Sequence, residues 1–224
     1  PLGLDVGSFW DGLCAGRSGV DFITEFSTEK LRTDIAANVR GFDPKSVLET
    51  REIDYTGRVV QLGLAASLQA VREARLEDVD RTRVGVLVSS GQGSVEIFVD
   101  QEQRAEARGP RAVSPYFIPS AMPNALSGLI ATKLGLRGPS FNIASACATS
   151  THSLAIGALL ILSGDADVVI AGGGEAATCP ATIAGFGNAR ALAKAYQGDP
   201  TRASRPYDKH RNGFVIGEGA GAIV

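Results

Sequence analysis

Ser145-Ala146-Cys147-Ala148-Thr149-Ser150 stands between two segments of different character. Upstream, Pro139-Ser-Phe-Asn-Ile-Ala-Ser145 reads as a strand; downstream, Thr149 to Leu162 reads as an apolar helix. The hexapeptide is therefore predicted to be a strand-to-helix turn of small residues carrying one thiol. A thiol there sits at a helix N-terminus, where unpaired N–H groups and the macrodipole favour negative charge. The same N–H groups can hold the oxyanion that forms when a thioester carbonyl is attacked. Small neighbours leave room for a substrate arm. Cys147 is thus the candidate nucleophile, in the strand–turn–helix logic of a nucleophile elbow with sulfur in place of oxygen. A buried structural cysteine is the plain alternative, and it is the reading given to Cys14 and Cys179, which lack such a setting.

Working outward, Val84 to Ser90 is a β-branched run ending in glycine, the pattern of a buried parallel strand. Asp167 to Ala171 is a second such run, leading into Gly172-Gly173-Gly174. Arg58 to Ala74 places Val59, Leu62, Leu64, Ala66, Leu68 and Val71 at helical spacing and predicts an amphipathic helix. A helix is expected from Val95, then a charged loop from Gln101 to Arg111, then a helix over Met122 to Leu134. Leu2 to Leu13 predicts a loop and a short helix with Asp5 or Ser8 as N-cap. Residues 20–57 read as an irregular surface cap, and Gly213 to Val224 as a strand. Strands alternating with helices across short connections argue for a layered α/β fold.

Composition narrows the possibilities. Among 224 residues, 22 Lys+Arg against 24 Asp+Glu give a net charge of −2, which argues against a basic nucleic-acid binder. Hydrophobic residues at 44% can build a core. The 27 glycines exceed the usual share of about 7% and imply tight turns and close backbone approaches. The 3 cysteines at irregular spacing support neither a disulfide framework nor a zinc site, so free thiols in a reducing, cytoplasmic setting are expected. The most apolar stretch, Leu154 to Leu162, is far shorter than the roughly 20 residues that span a bilayer. The sequence opens at Pro1 without an initiator Met, so a leader is not assessable.

The glycine loops invite a nucleotide reading and do not sustain it. Gly91-Gln-Gly93 follows a predicted strand, yet the third glycine of a dinucleotide fingerprint would fall at Glu96, whose carboxylate would repel a pyrophosphate. Gly172-Gly173-Gly174 is followed by Glu175, with the same objection. The plain reading is backbone packing at strand ends.

Four stretches carry a resemblance: Leu136 to Pro139, Ser145 to Thr149, Gly164 to Gly173, and Ala203-Ser-Arg-Pro-Tyr-Asp-Lys-His-Arg-Asn-Gly-Phe-Val-Ile-Gly-Glu-Gly219. In order and spacing the chain resembles the β-ketoacyl-[acyl-carrier-protein] synthases, condensing enzymes of thiolase-like fold. The resemblance implies a layered α/β/α fold over 1–224 representing the N-terminal half, truncated at both ends and lacking the C-terminal half. It implies an acyltransferase of fatty acid biosynthesis, in which the cysteine takes an acyl chain from acyl carrier protein and a malonyl thioester loses CO₂ to supply the attacking carbanion. No cofactor or metal is implied beyond the carrier's phosphopantetheine. The family's two catalytic histidines and its lysine belong to the second half. His152 and His210 are not that pair: His152 lies five residues past Cys147, about 140° further round a helix, and His210 matches a variable family position. A fragment without that half is expected to form no product and to aggregate.

Other roles follow from the resemblance alone. Phe186 and Phe214 match phenylalanines lining the family's pocket, with core aromatics as the plain alternative. Val95 falls near the far end of the acyl pocket. Arg58, Arg108 and Arg111 match basic positions that dock the acidic carrier protein, although ordinary solvated charges read equally well there and Gln61 stands where a further base is common. The resemblance implies a homodimer paired through an edge strand at about 140–145, with no nucleic-acid or membrane partner. Ala-Cys-Ala-Thr favours the discrete fatty acid type, whereas Asn212 keeps a discrete polyketide ketosynthase as the alternative. An inactive partial chain or a scaffold partner is the rival from another class, and Cys147 argues against the scaffold, which usually lacks the cysteine.

Overall fold

Helices and short strands alternate along the chain, in a computed structural model that describes residues 1–224. In order they are α1 (Val6–Cys14), β1 (Asp21–Phe22), β2 (Ile35–Ala36), α2 (Thr50–Ile53), α3 (Arg58–Ala74), β3 (Val84–Ser89) and α4 (Val95–Arg108). There follow α5 (Phe117–Ala121), α6 (Ala125–Leu134), α7 (Thr149–Leu162), β4 (Val168–Glu175), α8 (Pro180–Asn188) and β5 (Gly219–Ile223). They build two units, Pro1–Phe42 with Ala176–Gly219 and Asp43–Glu175 with Ala220–Val224.

The second unit is centred on a three-stranded sheet of order β3-β4-β5. β3 and β4 are parallel, in register from Val84↔Val168 to Ser89↔Gly173. All six residues of β3 are buried, as its valine-rich sequence without a charged residue allows when both faces are covered. Leu87, Val169 and Ala171 cluster with Ile156 and Leu160 of α7. Alternation sends Val86, Val88 and Ile170 to the opposite face, where α3 and α6 pack on the sheet and on each other. The helix predicted over Arg58 to Ala74 is α3, with the same bounds. It ends at Arg75, which turns left-handed at φ 54. No helix is long and apolar enough to cross a membrane.

Four expectations need correcting here. The stretch from Gln101 is not a charged loop; α4 continues to Arg108. Its charges lie on the solvent face, where Asp100 and Arg104 pair at i,i+4 (2.8 Å), while buried Gln101 accepts a hydrogen bond from the Ser114 N–H (2.7 Å). The helix expected over Met122 to Leu134 is α6, but it starts only at Ala125, because Met122 is extended ahead of Pro123 and closes α5. Pro139 to Ser145 is extended but forms no regular strand. It has one ladder bridge, Val86↔Ser140, and side chains supply the rest: Ser90 N–H donates to Asn142 Oδ1 (2.8 Å), Asn142 Nδ2 returns a bond to Ser90 O (3.1 Å), and Ile143 N–H donates to Ser89 Oγ (3.1 Å). The triple glycine lies inside β4 rather than at its end. A Cβ on Gly172 would collide with the backbone of Gly221 in β5, so the glycines permit close strand approach.

In the first unit α1 starts at Asp5, and both predicted capping residues act together. Asp5 Oδ1 accepts from the Ser8 N–H (2.8 Å) and Ser8 Oγ accepts from the Asp5 N–H. The stretch read as a surface cap supplies core: Ile23 and Ala36 pack with Ile183, Leu192 and Ile216, and Val20 and Ile35 pack with Ala193 and Ala203. Its strands are only two residues each, too short for any periodic pattern to reveal. Residues 213–224 are likewise interrupted: Phe214 bridges Leu192 and Gly217 bridges Ala37 before β5 begins at Gly219. Gly213, at φ 142, sits where a Cβ would lie 2.5 Å from Ala193 N.

Candidate functional site

Cys147 lies in a single 3₁₀ turn, Ala146–Ala148, that leads directly into α7, and it is exposed. Ala146 just before it is left-handed, at φ 51. That conformation costs a non-glycine residue about 1–2 kcal/mol, so surrounding bonds must hold it. Thr149 does so: its Oγ1 accepts from the Ser145 N–H (3.0 Å) and donates to Ala146 O (2.7 Å). Thr149 is itself buried, which fixes the hydroxyl. The Ala148 N–H is committed to Ser145 O (3.1 Å) and the Thr149 N–H to Ala146 O. The Cys147 N–H is not among these bonds, which leaves it as a donor for an oxyanion formed at the sulfur.

The elbow rests on close packing beneath it. A Cβ on Gly157 of α7 would already touch Val169 and Ala171, and a Cβ on Gly173 would strike Ser150 in the first turn of α7. Glycine in β4 therefore lets the cysteine-bearing helix end approach the sheet. His152 Nδ1 bonds Ser145 Oγ (2.7 Å), a polar contact on the upstream side of the turn. His210, in the other unit, donates its backbone N–H to Asp208 Oδ1 (2.7 Å). That bond, with Arg205 next in effect, holds the Asp208 carboxyl below its ordinary range.

The remaining predicted residues are distributed as follows. Val95 is the first residue of α4 and half-buried. Arg108 and Arg111 are exposed at the far end of α4 and in the turn after it. Arg58 opens α3, and its N–H donates to Glu96 Oε1 (2.9 Å) near the start of α4. Arg58 is thus separated from Arg108 by most of the length of α4, about 18 Å at 1.5 Å per residue. Gln61 is buried and donates to Thr56 O (3.0 Å), so it is not a surface position for a docking charge. Phe186 and Phe214 meet edge to face in the other unit, with ring centroids 5.3 Å apart. Cys179 is buried beside Thr182, whereas Cys14, expected to be structural, is exposed at the end of α1.

In the glycine loop after β3 the N–H groups of both glycines are already committed within the protein. Gly91 N–H donates to Glu175 Oε2 (3.0 Å) and Gly93 N–H to Ser90 Oγ (2.8 Å). Sequence reasoning treated Glu175 only as a repulsive charge and missed it as the partner of this loop; its place directly after a glycine-rich strand was the available signal. A cavity of about 610 Å³ was also missed. Tyr55, Tyr116, Met122 and Leu129 line it, with Glu52 and Lys133 paired at its wall, and Cys147 is not part of it.

The layered sheet and the cysteine turn place the chain among the thiolase-like α/β proteins, as an N-terminal half. It belongs to the β-ketoacyl synthase family, matching the family's N-terminal domain over residues 1–224. It is similar to 3-oxoacyl-[acyl-carrier-protein] synthase 2 of Vibrio cholerae, with 40% identity over 100% of this chain and 54% of the relative. Among solved structures, the ishigamide ketosynthase/chain length factor superposes with a TM-score of 0.87 at 30% identity, covering 99% of this chain and 54% of the other. A type II polyketide synthase acyl-carrier protein in complex with its ketosynthase gives 0.86 at 26% identity, again over 99% of this chain and 54% of that one. The chain spans about half the length of the curated relatives it matches.

Proposed function

We propose that this protein is an acyltransferase that makes 3-oxoacyl-[acyl carrier protein] by decarboxylative condensation in fatty acid biosynthesis. The observation that carries the reading is an exposed Cys147 in a strained, hydrogen-bonded turn at the start of α7. In the first half-reaction Cys147 Sγ attacks the acyl thioester carbonyl. The bond from acyl carbon to carrier sulfur breaks, and the thiol proton ends on the carrier's thiol. In the second, malonyl thioester loses CO₂, its carbanion attacks the acyl carbon, the bond from that carbon to Sγ breaks, and Cys147 leaves as a thiolate that takes a proton from water.

The substrates ride on the phosphopantetheine arm of acyl carrier protein, and exposed Arg108 and Arg111 support docking of that acidic partner. The edge-to-face pair Phe186 and Phe214 supports the role in acyl binding that the family resemblance implies for these two rings. A homodimer paired along about 140–145 is supported by exposed Phe141 and by the single ladder bridge there. Three free cysteines fit a cytoplasmic setting. A discrete polyketide ketosynthase is the second reading, supported by the similarity to a type II polyketide synthase ketosynthase; identities of 40% and 42% to 3-oxoacyl-[acyl-carrier-protein] synthases against 26% to that ketosynthase favour the first. The test is incubation of the full-length protein with acyl- and malonyl-[acyl carrier protein]. The expected result is 3-oxoacyl product with equimolar CO₂; malonyl consumption without a lengthened acyl chain contradicts the reading.

A further inference from the structure

The geometry points to Glu175 as a positioning residue for Cys147, a role that rests on the nucleophile reading above. Glu175 closes β4, and its two carboxylate oxygens meet two donors: Oε1 accepts from Ser90 Oγ (2.8 Å) and Oε2 from the Gly91 N–H (3.0 Å). Ser90 is buried, and its hydroxyl also accepts from the Gly93 N–H (2.8 Å). The carboxylate therefore organises the whole turn that follows β3. That turn presses on the elbow. A Cβ on Gly91 would lie 3.1 Å from Glu175 Oε2, 3.3 Å from Ala146 O and 3.4 Å from Thr149 Oγ1. The backbone of Gly91 thus packs on the same carbonyl and hydroxyl whose bond holds Ala146 left-handed beside the thiol.

Ser90 also reaches the strand side of the elbow. Its N–H and C=O are both paired with the Asn142 side chain, five residues before Cys147. Glu175 accordingly braces the elbow from two directions, through Gly91 onto Ala146 and Thr149, and through Ser90 and Asn142 onto the segment leading in. An acceptor-only group suits the position, because both neighbours donate to it. Glutamine accepts at one oxygen and presents N–H to the other donor. Glu175 touches neither thiol nor substrate, so its effect is on where Sγ stands when the acyl carbon moves from carrier sulfur to Cys147. Misplacing a reacting group by about 1 Å costs on the order of 10²-fold in rate.

The test follows acyl loading of the full-length protein by intact mass, with octanoyl-pantetheine thioester as donor. Glu175→Ala should lower the saturating loading rate about 100-fold and Glu175→Gln about 10-fold. The half-saturating thioester concentration should stay within twofold, and buried Cys179 should stay closed to iodoacetamide. Ser90→Ala should lower the rate alone yet add little on top of Glu175→Ala, the non-additivity of a shared network. Loading by Glu175→Ala within twofold of the parent overturns the proposal. So does a loss that comes with labelling of Cys179, since that reports general loosening. Cys147→Ala separates the two claims: an octanoyl adduct surviving in that variant sinks the nucleophile reading itself, whatever Glu175 does.

Discussion

Gly173→Ala should disable the elbow from below without removing any polar group. The added Cβ would stand 2.7 Å from Ser89 O and would collide with Ser150 Oγ, whereas ordinary contact begins at 3.4 Å. Ser150 can rotate its hydroxyl away. Ser89 O belongs to the β3 backbone, so relief there requires β3 and β4 to part by about 0.7 Å or the strand to bend. Overpacking of this kind costs about 1–3 kcal/mol. Each kcal/mol lowers the melting temperature by roughly 2–4 °C for 150–250 residues and by about half that for a chain twice as long, so calorimetry of the full-length protein should show a fall of about one to a few degrees. The first turn of α7 moves with the sheet, and acyl loading should drop about 10–100-fold. Gly185→Ala is the control: it lies in α8 with nothing within 4 Å of its Cβ, and it should leave loading unchanged and raise stability by up to about 1 kcal/mol. A Gly173→Ala protein that melts and loads like its parent refutes the claim that glycine is there for close packing.

Thr149→Val keeps the shape but strips the hydroxyl from Ser145 N–H and Ala146 O, so urea unfolding should show a loss of about 1–3 kcal/mol. Unchanged stability would mean that the left-handed Ala146 is held by something else. Glu52 makes a pH prediction. The hydrogen bond from Lys133 chiefly, then that from the Glu49 backbone, holds its carboxyl below 4.5. A depressed carboxyl stabilises the fold above its unfolded value and loses that contribution as pH falls through the folded one. The melting difference between the parent and Lys133→Ala should therefore be constant above about pH 5 and shrink toward about pH 3. A difference that widens on acidification contradicts the pairing.

What the sequence disclosed was what repeats or concentrates. α3 shows several turns of apolar spacing, β3 and the start of β4 are β-branched runs, and the elbow gathers small residues around one thiol. Hidden features depend on partners distant along the chain. Asn142 replaces strand pairing with side-chain bonds to Ser90, which no local pattern encodes. Glu175 is read as a bare charge until Ser90 and Gly91 are seen donating to it, 85 and 84 residues away. Val20, Ile23 and Ile35 are buried by residues near 183–216, so their polar neighbours disguised them as surface. Gln101 to Arg108 looked like a loop because charge was weighed above the helix-forming character of Glu, Gln, Arg and Ala.

The central claim is that Cys147 accepts the acyl chain, and intact mass measures it directly. Full-length protein given acyl-[acyl carrier protein] without malonyl donor should gain one acyl group. Cys14→Ala and Cys179→Ala should keep that adduct and Cys147→Ala should lose it. An adduct that persists in Cys147→Ala contradicts the account.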